Sequence, residues 1–248
     1  MATAMAKRLE GKTIVITGAS SGIGWSTAKE FARTSPKNLK FILLLSPGKE
    51  RSESLLCDQL ICLRSYDSGL VKGVAKSPNI TAEDINIMFS TNTIGLINMT
   101  QAILPIFKKR DQGGRGDIIN IGSIAGREAY PGGSVYCAAK AAVRSFSDAL
   151  RKELIATRVR VIEIDPGQVE TEFSIVRFYG DKSQADAVYS ACEPLTPDDI
   201  AEVIVFAAGR RENVVIADTM IFPNHQLHIA GLLTLYTYQV DNSPPTFS

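Results

Sequence analysis

Lys12-Thr13-Ile14-Val15-Ile16-Thr17-Gly18-Ala19-Ser20-Ser21-Gly22-Ile23-Gly24 is a β-branched run that breaks into a glycine-rich loop. Lys12 to Thr17 reads as a buried strand, short and continuously apolar. The glycines at 18, 22 and 24 let the chain turn sharply and bring bare backbone close to an anion, where a Cβ would collide. A helix follows from about Gly22 to Arg33, and its first N–H groups and positive dipole end face the same point. Phe41 to Leu45 is a second continuous apolar strand. Strand, loop, helix and strand in this order form the first βαβ unit of a doubly wound parallel sheet. In that setting Gly18, Ser20, Ser21, Gly22, Ile23 and Gly24 form a cradle for a dinucleotide pyrophosphate.

Outward from this unit the pattern first weakens and then recovers. Ser46 to Ile80 is irregular, rich in serine, glycine and proline, with one possible strand at Leu60 to Leu63. Thr81, with Asp84 three residues on, opens a helix expected to run to about Lys109 with a bend at Pro105. Gly113 to Gly116 is a turn, Asp117 to Ile121 a strand, and Ser134 to Thr157 a long helix. Val159 to Ile164 is a strand closed by Pro166-Gly167. Pro197 opens a helix that Ala208-Gly209 ends, and Val214 to Phe222 contains a last strand. Residues 1–248 therefore read as one Rossmann-type α/β domain.

The bulk numbers exclude several classes. The chain has 248 residues, 45% of them hydrophobic, which is enough for one full core. A net charge of +1 gives no electrostatic case for nucleic acid or an anionic membrane surface. Cys57, Cys62, Cys137 and Cys192 are scattered, as reduced thiols are. His225 and His228 have no third ligand nearby, so no metal site is expected. The N-terminus lacks the apolar core of a signal peptide, and Ile229 to Leu235 is too short to cross a bilayer. A cytoplasmic location follows as the default expectation.

A second window carries the chemistry. Tyr136 and Lys140 stand four apart in Tyr136-Cys137-Ala138-Ala139-Lys140, and Ser123 lies upstream, just past a strand end. Residues one helical turn apart share a face. A cation beside a phenol favours the phenolate, bringing an acid/base of ordinary pKa near ~10 toward neutral pH. A serine at the strand end can hydrogen-bond a substrate oxygen. Behind a dinucleotide cradle, this set moves a proton while a nicotinamide moves a hydride. No carboxylate follows the second strand to hold a ribose 2′-hydroxyl, whereas Lys49 and Arg51 lie close by. That favours the 2′-phosphate of NADP over NAD. Ordinary surface charge on a solvated loop remains the competing reading of the same two residues.

These motifs resemble the short-chain dehydrogenase/reductase family. The resemblance rests on the glycine loop, the Ser123, Tyr136 and Lys140 set, and Pro166-Gly167-Gln168-Val169-Glu170-Thr171. It implies that Tyr136 is the general acid/base, that Lys140 tunes it and holds the nicotinamide ribose, and that Ser123 positions the carbonyl. Asn92, in Phe89-Ser90-Thr91-Asn92, would complete a proton relay. Pro166, Gly167, Val169 and Thr171 would cover the nicotinamide. Gly122 to Pro131, and Thr171 to Ser174 followed by Val176 to Phe178 and Gly180-Asp181, are further similar to the microbial NADP-dependent 3-hydroxy acid dehydrogenases that oxidise L-serine and L-allo-threonine. Such a substrate carries a carboxylate, for which Arg127 and Arg177 are candidate cations. The family also implies a homotetramer built on the two long helices.

Two stretches depart from the family pattern. The Asn-Asn-Ala-Gly motif and the acidic residue near the adenine are absent, with Asp67-Ser68-Gly69 the best remnant. Only residues 46 to 60 separate Leu45 from the next apolar run, room for one crossover where the family has two. One strand and one helix are therefore expected to be missing. From Asn224 onward the tail diverges as well. Such abrupt breaks beside well-matched runs are what an altered or mispredicted transcript would leave. Two other functional readings follow: a truncated, catalytically impaired relative, and a dehydrogenase acting on another alcohol or ketone.

Overall fold

The computed structural model describes residues 2–35, 37–44, 60–64, 69–190 and 192–226, with residues 60–64 described by their backbone. Six parallel strands form one sheet: β1 (Thr13–Thr17), β2 (Lys40–Leu44), β3 (Leu60–Arg64), β4 (Arg115–Ile121), β5 (Arg158–Pro166) and β6 (Asp218–Ile221). Their spatial order is β2-β1-β3-β4-β5-β6. The chain thus runs one way from β1 to β2 and the other way from β3 onward. The order reverses beside β1, and in such sheets ligands bind beyond the carboxyl ends of the strands at the reversal.

The strands are apolar on both faces because helices cover both. On one face Ile14, Ile16, Ile119, Ile162 and Ile164 pack with α1 (Ala2–Leu9), α2 (Gly22–Thr34) and α8 (Pro197–Ala208). On the other, Val15, Ile118 and Val161 pack with Ile103 and Phe107 of α4 (Gly95–Lys108) and Leu150 of α5 (Ser134–Glu153). Neighbouring residues of one strand, such as Ile118 and Ile119, therefore serve opposite layers. After the short helices α6 (Phe173–Arg177) and α7 (Lys182–Ala187), Thr196 and Asp199 close a full capping box at the start of α8, which also has Pro197 in its first turn. Thr81 caps α3 (Ala82–Phe89) by accepting from the Asp84 N–H at 3.1 Å, as its spacing predicts.

The sheet is the Rossmann-type one expected, with six strands among the described residues; residues 45–59 and 65–68, where the missing strand and helix are expected, lie outside them. The Leu60 strand reaches Arg64 and takes the place between β1 and β4. Other expectations need correction. The helix opening at Thr81 is distorted at a π-helical stretch, Ser90–Ile94, while Pro105 lies inside α4. The long helix ends at Glu153, whereas the last strand, Asp218–Ile221, falls within Val214 to Phe222 as expected. The N-terminal segment forms α1, whose Leu9 is fully buried. Lys49, Arg51, Asp67, Ser68, His228 and the tail from 227 lie outside the described residues.

Candidate active site

Strand β1 delivers the glycine loop to the reversal point. Gly18 and Gly22 have φ of 65° and 51°, in the left-handed region that a side chain disfavours. Ser21 is the N-cap residue of α2 but makes no side-chain cap. Its hydroxyl instead approaches Glu172 Oε2 at 3.4 Å, bringing the loop to the segment after Pro166-Gly167. Ile23 is fully buried and anchors α2, whereas Ser20 is exposed. Bare backbone at a helix N-terminus is what a pyrophosphate requires, so this loop fits a dinucleotide.

Strand β4 and helix α5 bring the chemical set together. Beyond Ile121, Ser123 caps a 3₁₀ turn, Ile124–Gly126, with its Oγ accepting from the Ala125 N–H at 3.1 Å. The turn comes so close to α5 that a Cβ on Gly126 would lie 2.7 Å from the Lys140 carbonyl carbon. Tyr136 and Lys140 are each 3% exposed, on one face of α5. Lys140 Nζ donates to the Ile121 carbonyl at 2.9 Å and stands 5.9 Å from the Tyr136 ring centroid. A buried ammonium is costly unless its donors are engaged, and here a strand-end carbonyl fixes it. The Tyr136 ring packs at 5.7 Å against Phe173.

Asn92 lies in the π-helical stretch, a distortion often found at functional sites. Its Oδ1 accepts from the Leu70 N–H and its Nδ2 donates to the Leu70 carbonyl, both at 2.7 Å. The next residue, Val71, is buried against Met88, Tyr130 and Tyr136. Leu70 and Val71 thus form part of the floor beneath the tyrosine. Thr93 donates to the Ala139 carbonyl at 3.1 Å and ties the same stretch to α5.

A cavity of about 80 Å³ opens beside Ser123 and Tyr136, lined further by Tyr130, Phe173, Arg177 and Tyr189. Val169 and Gly167 border it, and Thr171 accepts from the Phe173 N–H close by. The two candidate arginines part here. Arg177 borders the cavity, is 7% exposed, and stands over the rings of Tyr130 and Phe178 at 5.5 and 5.6 Å. Its Nε has no hydrogen-bond partner among the described residues. Arg127 does not line the cavity. It donates from Nε to Asp165 at 2.6 Å and also pairs with Asp218.

Sequence reasoning missed the group around Arg127. Glu163 and Asp165 point to one face of β5 and crowd Gly122, where a Cβ would fall 2.8 Å from Glu163 Oε1. Burial first, and the neighbouring Asp165 second, push the Glu163 carboxyl up to about 8. Burial also raises Asp165. Two acids at i and i+2 in Ile162-Glu163-Ile164-Asp165 were the available signal, since they break an apolar strand and demand a cation. Tyr189 was missed too. Its hydroxyl donates to the Val169 carbonyl at 3.1 Å and meets Ser174 Oγ at 2.7 Å, fixing one cavity wall. Among the described residues no group of His, Cys, Asp and Glu could hold a metal, and no helix could cross a membrane.

Comparison with known proteins adds the following. The family described as short chain dehydrogenase matches residues 67–178. An NADP-dependent 3-hydroxy acid dehydrogenase of Schizosaccharomyces pombe is 48% identical, over 88% of this chain and 95% of that protein. A serine 3-dehydrogenase of Agrobacterium fabrum is 32% identical, over 86% of this chain and 94% of that one. Among solved structures, the closed form of a serine dehydrogenase complexed with NADP+ superposes with a TM-score of 0.72 at 32% identity, covering 84% of this chain and 94% of the other.

Proposed function

The chain belongs to the short-chain dehydrogenase family, and on that premise we propose that it oxidises a short 3-hydroxy acid, such as L-serine or L-allo-threonine, to the 3-oxo acid. NADP+, held by Gly18, Ser20, Ser21, Gly22, Ile23 and Gly24 with Asn92, Pro166, Gly167, Val169 and Thr171 nearer the nicotinamide, supplies the hydride acceptor when bound. The choice of NADP over NAD is supported by the nature of the relatives. Tyr136 takes the hydroxyl proton as the carbinol becomes a carbonyl. Lys140 faces the Tyr136 ring and stabilises the phenolate. Ser123 donates to the substrate oxygen and sets its direction. Asn92 supports the relay by holding the floor at Leu70.

One observation carries the substrate class. Arg177 is a buried guanidinium bordering the cavity that Tyr136 and Ser123 share, and its Nε has no hydrogen-bond partner among the described residues. A carboxylate in that cavity would give it a charge-assisted bond. A homotetramer is in keeping with Ile85, Ile87 and Ile94, apolar side chains exposed on α3 and the π-helical stretch. A cytosolic setting completes the reading. The test is NADP+-dependent oxidation of L-serine and L-allo-threonine beside 2-aminoethanol, which has the hydroxyl and no carboxylate. Preference for the two acids is expected. Equal turnover of 2-aminoethanol would move the assignment to another alcohol, and no turnover of any would favour the impaired-relative reading.

A further inference from the structure

At the opposite end of the sheet, a cavity of about 200 Å³ opens at the amino ends of β1, β4 and β5. Seven cationic side chains and two carboxylates line it, a surplus of five positive charges. The whole chain carries only +1, so the remainder has a net charge of −4. The two carboxylates are already engaged. Asp117 takes buried Arg160 in a two-pronged pair at 2.5 and 2.7 Å, and Glu212 takes Arg115 at 2.5 Å.

Other arginines are oriented by neutral groups. Arg8 donates to the Gly209 carbonyl at 3.1 Å, and Arg210 donates to the Phe206 carbonyl at 3.0 Å while stacking on its ring. Arg158 is exposed at the rim, at the start of β5. A carbonyl fixes a guanidinium without cancelling its charge, which leaves a pre-positioned cation.

Offsetting the negative helix ends accounts for only part of this surplus. The carboxyl ends of α1, α4 and α8 gather here, each equivalent to about half a negative charge. Arg160, Arg8 and Arg210 all donate to carbonyls at the end of α8, yet three half-charges offset fewer than two of the five. The cavity is also below the roughly 300 Å³ where pockets for drug-sized molecules begin, so it suits a compact ion better than a nucleotide. Guanidinium forks match phosphate oxygens in pairs.

We propose that this cavity binds a small oligophosphate anion, separately from the catalytic site. The test is calorimetric titration of the full chain with inorganic tripolyphosphate. Sulfate at equal ionic strength and a repeat with saturating NADPH serve as comparisons. Saturable binding that exceeds sulfate and survives NADPH is expected. The Arg8→Gln/Arg158→Gln/Arg210→Gln variant should weaken it at least about tenfold, since bonds to charged groups are the strong ones. The single Arg158→Gln change, at an exposed position that leaves the fold intact, should weaken it about threefold. No saturation, a response equal to that of sulfate, displacement by NADPH, or full affinity in both variants would each overturn the proposal. None of these outcomes bears on serine oxidation.

Discussion

Arg127 and Arg177 lie at the same end of the sheet and were indistinguishable as candidates in the sequence, yet their surroundings are opposite. Arg127 is enclosed by carboxylates, with Asp165 at 2.6 Å and Asp218 beside it. Arg177 is enclosed by rings, borders a cavity and has an Nε without a hydrogen-bond partner among the described residues. An arginine already matched by buried acids holds the protein together, whereas one framed by aromatic faces retains its charge for something that arrives.

The largest expected effect tests whether the Tyr136 side is the chemical one. Tyr136→Phe removes the proton acceptor and leaves the ring packed on Phe173. Steady-state assays should give a kcat lower by about three orders of magnitude. A loss under tenfold would mean that another group moves the proton. Next, Arg127→Met strands Asp165 as a buried carboxylate without its partner. Denaturant unfolding should report a loss of roughly 3 kcal/mol, with the KM for L-serine unchanged. A raised KM with intact stability would reverse the assignment of the two arginines.

Arg177→Met should do the opposite, raising the KM for L-serine on the order of tenfold, while the KM for NADP+ stays as it was. A pH-dependent effect is expected at Glu163. Its folded value of about 8 stands above an ordinary Glu near ~4.3. The folded state therefore binds the extra proton between these values, and stability falls as pH rises through that window. Glu163→Gln should flatten this fall, so Tm gains over the parent at pH 8 but not at pH 4. Parallel Tm profiles across the window would show that Glu163 is not the group responsible.

Most of the frame was legible because local signals and global fold agree. β1 and its glycines, the Thr81 and Pro197 helix starts, and the Tyr136–Lys140 spacing all act within a few residues. Features that depend on distant partners were not legible. Arg127 finds its acids 38 and 91 positions away. Pro105 is legible as a place for a bend, because proline is the residue type known to bend helices. The π-helical stretch at Ser90–Ile94 contains no proline or glycine to signal it. The N-terminal helix was missed because its segment is short and only two of its side chains, Leu9 and partly buried Met5, pack on the core.

The clamp of Asn92 on Leu70 has a practical meaning. Leu70 has no strand neighbour, so its amide proton is shielded by a side chain 22 positions away and by nothing regular in its own stretch. Slow isotope exchange at that single amide becomes a signal that the π-helical turn and the tyrosine floor are assembled. The protein thus carries its own reporter of an intact reaction centre, readable by magnetic resonance without substrate, cofactor or turnover.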